Sequence, residues 1–335
     1  MRRRYARPRM SARTRVFTIV ALAAAAAVAA TVGVTLLQTR GESTTAPGSV
    51  TAPRKGAPPL ILDFGVRDDP EARRLFHAEQ LYAKGKRAAA GRIFARYHSL
   101  EAEIGAAFAR WPDGGLDEMK RIVAAHPGSS LAELHLGWAY WQAGRNADAV
   151  DAWKKATELQ PDTASAVHAA NPLHPQMAPD LPYIVTGLRP PPSVEALKPA
   201  DQLRALARNA AAGGADAKLI YGVALWNLLR PVSAERQFEA AAKLAPNDPV
   251  ARTAAAVGAF SKDDPVRAFG RLGPLTSVFP KAPVVRFHLG LLLIWTRKVE
   301  KARTQLRLVV AGSPSSVYAM QAKTLLGAIS RGGTK

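Results

Sequence analysis

Residues 131–161 read LAELHLGWAYWQAGRNADAVDAWKKATELQP, and the spacing of their small residues decides the fold. Counting from Gly137, Tyr140 follows at three residues, Ala149 at twelve, Trp153 at sixteen, Ala156 at nineteen and Pro161 at twenty-four. The same offsets from Gly222 give Leu225, Ala234, Phe238, Ala241 and Pro246. From Ala256 they give Ala259, Ala268, Leu272, Leu275 and Pro280, and from Gly290 they give Leu293, Ala302, Leu306, Val309 and Pro314. The last three frames start 34 residues apart. A small residue in a first helix lets a second helix cross close by, and the alanine at offset twelve is small for the same contact. The large apolar residue four positions later lies one turn along the same face. Proline ends the second helix, because it lacks an N–H and clashes in a helix interior. Such a hairpin cannot bury its apolar faces alone, so copies stack.

A fifth, weaker frame starts at Ala78, with Leu81, Ala90, Phe94 and Tyr97, and has Ala102 where proline is expected. Residues 99 to 128 read as a degenerate unit of two helices ending at His126-Pro127-Gly128. Taken together, residues 71–163 and 215–316 resemble the tetratricopeptide repeat (TPR) family. They depart from it four positions before the small residue, where Glu133, Lys218, Arg252 and Arg286 replace its frequent tryptophan. The resemblance implies an all-α, right-handed solenoid of helix–turn–helix hairpins, five to six here.

It also implies a concave groove lined by first helices, where extended peptides or partner helices bind. The groove positions in this sequence are Trp138, Trp141, Gln142, Trp226, Asn227, Phe260 and Trp295, with Trp141 and Trp226 expected to be exposed. Tryptophan and amide side chains recognise partners at modest entropic cost. Family members that clamp a C-terminal carboxylate use Lys, Arg and Asn on this face. Leu134, His135, Leu219, Ile220, Thr253 and Ala254 stand there instead, which favours an apolar peptide or the chain's own proline-rich insertion.

That insertion covers about 164–200, and eight prolines between Pro172 and Pro199 argue for an irregular path. A helix is expected to begin near Asp201, and a last helix over 315–330 to take Ser315 or Ser316 as its N-cap and close the solenoid's end.

The chain's 335 residues carry a net charge of +20, of which the first 41 residues supply eight arginines and no acid. Residues 1–15 read as a basic cytoplasmic tail and 16–37, uncharged, as a transmembrane helix. Residues 38–62 read as a Pro/Ser/Thr-rich linker with nothing to pack, and 63–335 as the solenoid. The expected location is therefore the cytoplasmic membrane, single-pass, with the domain extracytoplasmic; secretion after signal-peptide cleavage is the alternative. The remaining positive charge is a mild bias over a long domain and calls for no nucleic-acid partner.

Chemistry is sparse. Without cysteine there are no disulfides, thiolate metal sites or cysteine nucleophiles. The seven histidines form no HExxH motif, and no phosphate-binding glycine loop or GxSxG is present. His168 and His174 are the one pair close enough to share a metal, and they read as hydrogen-bonding histidines instead. The expectation is a non-catalytic scaffold without cofactor or metal that binds a protein or peptide segment. Alternatives are an accessory factor in envelope assembly or cytochrome maturation, or a basic ectodomain recruiting anionic polymers.

Overall fold

The computed structural model describes residues 52–332. Sixteen helices and no strand occur among the described residues. The first seven are α1 (Pro70–Ala83), α2 (Arg87–Phe94), α3 (Leu100–Ala109), α4 (Gly115–Ala125), α5 (Ser130–Gln142), α6 (Asn146–Leu159) and α7 (Ala164–Leu173). After a short α8 (Pro192–Glu195) and α9 (Pro199–Ala212) come α10 (Ala215–Asn227), α11 (Pro231–Leu244), α12 (Pro249–Gly258), α13 (Pro265–Val278), α14 (Pro283–Trp295), α15 (Val299–Gly312) and α16 (Val317–Gly332). Consecutive helices pack on one another, so the chain is a succession of helical hairpins.

The repeat offsets do the work the sequence assigns to them. A Cβ on Gly137 would lie 2.3 Å from Trp153 Nε1, one on Gly222 2.5 Å from Phe238, and one on Gly290 2.9 Å from Leu306. Each of these three hairpins therefore closes by driving a large side chain of the second helix onto a bare backbone of the first. Four hairpin turns place a positive φ seven residues after the small residue: Gly85 (74°), Gly144 (78°), Leu229 (55°) and Arg297 (56°). Two of these are glycines, which adopt such a φ without steric cost; Leu229 and Arg297 carry a Cβ there. Pro161, Pro246, Pro280 and Pro314 each lie two residues past the end of a second helix. Three first helices begin at side-chain caps: Asp69 accepts from the Ala72 amide (2.9 Å), Ser129 from Ala132 (3.2 Å), and Asp248 from Val250 and Ala251 (2.9 and 3.1 Å). Ser316, one of the two expected caps, accepts from Ala319 at 3.1 Å.

One core gathers Leu75, Phe94, Phe108 and Met119 between α1 and α5; another gathers Phe238, Leu272, Phe287 and Leu306 between α10 and α15. Asp162, before α7, ties the two series together by accepting from the Ser233 amide at 2.9 Å.

Three expectations are corrected. Residues 164–173, assigned to an irregular insertion, form α7, because Thr163 caps the helix at 3.3 Å and Pro172 falls in its last turn. Residues 52–62, assigned to a linker with nothing to pack, lie in a groove, as described below. The single-pass membrane location is overturned as well. The segment 16–37 lies outside the described residues, and among the described residues no helix is long and apolar enough to cross a membrane. The longest helix among the described residues has 16 residues. At ~1.5 Å per residue it spans about 24 Å, short of a hydrocarbon core of about 30 Å.

Candidate peptide-binding grooves

Two extended segments of the chain run against first helices, one in each series of hairpins. The first strap is residues 52–62. Its Arg54 N–H donates to the carbonyl of Gln142 at 2.8 Å, an acceptor left open because it lies in the last turn of α5. The Gln142 side-chain amide answers by donating to the carbonyls of Arg54 (2.9 Å) and Lys55 (3.0 Å). The Arg54 guanidinium stacks 3.5 Å over the ring of Trp141 and donates to the Trp141 carbonyl. Further along, the Tyr82 hydroxyl donates to the Pro58 carbonyl (2.7 Å), the Ile61 N–H donates to His135 Nε2 (3.1 Å), and the Leu62 N–H donates to Glu79 (2.8 Å).

The second strap is residues 176–188, between α7 and α8. Its Ala178 N–H donates to the Trp295 carbonyl at the end of α14 (2.9 Å), and the Trp295 indole donates to the Pro179 carbonyl (3.2 Å). The Trp226 indole donates to Pro182 (2.7 Å), and the Val185 N–H donates to His288 Nε2 (2.9 Å). Tyr183 meets the Trp295 ring edge-on at 5.3 Å.

Both histidines are fully buried and fixed in one tautomer. His135 Nδ1 lies 2.8 Å from the Leu131 carbonyl and His288 Nδ1 2.7 Å from that of Val284. A carbonyl can only accept, so Nδ1 carries the proton and Nε2 is left as the acceptor for the strap amide. Burial pushes each imidazole down to about 4, only partly opposed by the carbonyl bond, so both are neutral at ordinary pH.

The second strap is also pinned by a polar knot. Asn171 donates to Asp180 Oδ1 (2.9 Å) and accepts from the Asp180 amide (2.8 Å), while His168 Nδ1 lies 3.0 Å from the same carboxylate. The Lys262 ammonium bonds to Asn171. Burial lowers Lys262 to about 8, and nearby Asp180 works in the opposite direction. His174 contacts Asp263 at 2.7 Å, so the two histidines considered as a metal pair face separate carboxylates. Among the described residues, no group of three or more His, Cys, Asp or Glu could hold a metal ion.

The residues singled out from the sequence fall into distinct places. Trp141 and Gln142 touch the first strap; Trp226 and Trp295 touch the second. Trp138 meets Trp153 of its own hairpin edge-on at 4.9 Å and is half-buried. Phe260 is a core residue at 4% exposure, and Asn227 is exposed at the end of α10. Trp226, expected exposed, is 2% exposed, because the proline-rich strap lies over it. Tyr82, His135 and His288 do as much as the tryptophans; His135 was named only as a departure from carboxylate-clamp chemistry, and Tyr82 and His288 were not singled out. A buried histidine among leucines carries no sequence signature of its own, but its place two residues before the small residue of a first helix is a repeat-frame signal.

No family model and no curated protein matches the chain. Solved structures do. One is YrrB, described as a TPR protein with an unusual peptide-binding site, at 17% identity over 62% of this chain and 98% of that one, with a TM-score of 0.30. Another is the C-terminal part of a TPR repeat-containing protein from Cytophaga hutchinsonii, at 13% identity over 74% and 98%, TM-score 0.29. Yeast Tom70 matches at 10% identity over 91% and 69%, TM-score 0.32. Likeness at this level carries no argument, and the succession of helical hairpins rests on the chain's own repeat geometry.

Proposed function

We propose that this protein is a non-catalytic interaction scaffold that holds an extended segment of a protein partner in a groove formed by its first helices. One observation carries the reading. Both grooves already hold extended polypeptide, chiefly through its backbone. Helix-terminal carbonyls and buried imidazoles accept strap amides, while a phenol, an indole and a carboxamide donate to strap carbonyls. Groups so arranged suit recognition of main chain in a dry site, where each unpaired partner would be costly.

Photo-crosslinking in cell extract tests this. A crosslinking residue placed at Trp138 or at exposed Asn227 is expected to trap a partner polypeptide. The same residue at exposed Leu244 or Val266, on second helices, is expected to trap none. Crosslinks confined to Leu244 and Val266 would show that the binding face lies elsewhere.

A further inference from the structure

The two straps are held by equivalent groups at equivalent spacing. In the first, the amide of Arg54, the carbonyl of Lys55, the carbonyl of Pro58 and the amide of Ile61 are bonded; in the second, those of Ala178, Pro179, Pro182 and Val185. The steps of one, three and three residues are identical. Gly56 and Asp180, two residues after the first bonded amide, both take a positive φ, at 95° and 57°.

The reading groups match in the repeat frame as well. Tyr82 and Trp226 lie four residues after the small residue of the first hairpin in their series, Ala78 and Gly222. His135 and His288 lie two before, and Gln142 and Trp295 five after, the small residues Gly137 and Gly290 of the third hairpin. A capping helix follows each third hairpin, α7 after Thr163 and α16 after Ser316, with a hydroxyl cap in both. Strap, three hairpins and a capping helix therefore occur twice, with α8 and α9 added only in the second copy.

We infer that the chain is a duplicated peptide-reading unit, and that its first strap is a displaceable stand-in for a partner segment of defined pattern. The inference rests on the scaffold reading above. The pattern is an extended segment with a proline whose carbonyl is read, free amides four residues before and three residues after it, and aliphatic residues two and three residues after it. Leu60 and Ile61 meet the last requirement in the first strap, Ile184 and Val185 in the second.

Only the first strap is built to leave. The second is tethered between α7 and α8, contributes Ala178 and Ile184 to the core, and stacks Tyr183 on Trp295. The first gives the core only Leu62, at its end next to α1, with Ala57 and Leu60 packed against it; at the positions matching Ala178, Tyr183 and Ile184 it has Arg54, exposed Pro59 and half-buried Leu60, and Lys55 and Gly56 are exposed too. The first groove thus holds a ligand with the right backbone contacts and fewer side-chain ones, so a segment patterned like the second strap outcompetes it.

The probe is a fluorescein-labelled peptide of residues 175–188, PQMAPDLPYIVTGL, titrated by anisotropy into the full chain. An Ile61→Pro chain loses the strap amide that His135 accepts while its groove is untouched. It is expected to bind the peptide at least fivefold tighter than the parent chain. Adding Tyr82→Phe, which deletes one donor from the groove, is expected to weaken binding at least threefold. The peptide carrying Val185→Pro is expected to bind at least fivefold more weakly. Equal binding, or none, by the parent and Ile61→Pro chains overturns the proposal, and so does equal binding of the Val185→Pro peptide. If either occurs while Trp138 and Asn227 still crosslink a partner, the pattern fails and the scaffold reading stands; crosslinks confined to Leu244 and Val266 sink the scaffold reading itself.

Discussion

His135 and His288 make the same pair of hydrogen bonds in the two halves of the molecule, each ring bridging a carbonyl of its own helix to the amide of a strap. Both are buried and shifted down to about 4 from an ordinary 6.5. This makes stability depend on pH in a stated direction. Between pH 6.5 and 4 the unfolded chain binds protons at these sites and the folded chain does not, so stability falls as pH falls through that window and levels off below it. At ~1.4 kcal/mol per unit, each histidine contributes up to about 3 kcal/mol of this loss. Urea unfolding at pH 7 and pH 4.5, with and without His288→Asn, is expected to show a shallower pH dependence in the variant. An unchanged slope would mean that His288 is not neutral and buried.

Gly137→Ala tests the closure of the best repeat. The added Cβ would lie 2.3 Å from Trp153 Nε1, well inside contact distance, and Trp153 is 2% exposed, with no room to retreat. The expected outcome is a loss of about 1–3 kcal/mol by denaturant titration. Gly312→Ala, where nothing lies within 4 Å of the added carbon, is the matched control and is expected to be neutral or mildly stabilising.

Leu229 predicts an effect of the opposite sign. It holds φ at 55° in a turn where Gly85 and Gly144 occupy the matching position in other hairpins. A left-handed conformation costs an L-residue with a Cβ about 1–2 kcal/mol, against a smaller entropic penalty for glycine. Leu229→Gly is expected to raise stability by roughly 0.5–1 kcal/mol, read as an increase in the urea midpoint. A decrease would mean that the leucine side chain contributes more by packing than its backbone costs.

The hairpins were legible because their determinants are local in a repeat frame: small residue, alanine, large apolar residue and proline recur at fixed offsets, from Gly137 to Pro161 and from Gly290 to Pro314. The straps were less so. Proline density argued for an irregular path over about 164–200; 174–191 is without helix, whereas α7, α8 and the start of α9 fall inside that span, and the chain's own insertion was one expected occupant of the groove. The first strap escaped because APRKGAPPL has the composition of a solvated linker; its binding comes from backbone amides and carbonyls, which composition does not display. Trp226 and Trp295 lie against the second strap, and whether such a ring meets solvent or a strap depends on a segment some 40 and 115 residues away in sequence, respectively.

Unequal attachment of the two straps gives the last prediction. Gln142→Met keeps the volume of a side chain that is 6% exposed but removes its bonds to the Arg54 and Lys55 carbonyls. Each such bond is worth about 0.5–1.5 kcal/mol. The freed carbonyls lie on a strap edge that water can reach, so the loss is local to the strap. Hydrogen exchange of the Arg54 and Ile61 amides is expected to accelerate about tenfold, with α5 and the global unfolding free energy nearly unchanged. Trp226→Phe deletes the corresponding donor to Pro182 in the second groove. There Ala178 and Ile184 belong to the core shared by α10, α12 and α14, so the strap cannot open without uncovering apolar surface. Exchange at Val185 is therefore expected to accelerate only together with amides of those helices, and the global unfolding free energy to fall by about 1–2 kcal/mol. Independent opening of the second strap, with those helices still protected, would show that both straps are equally free to leave.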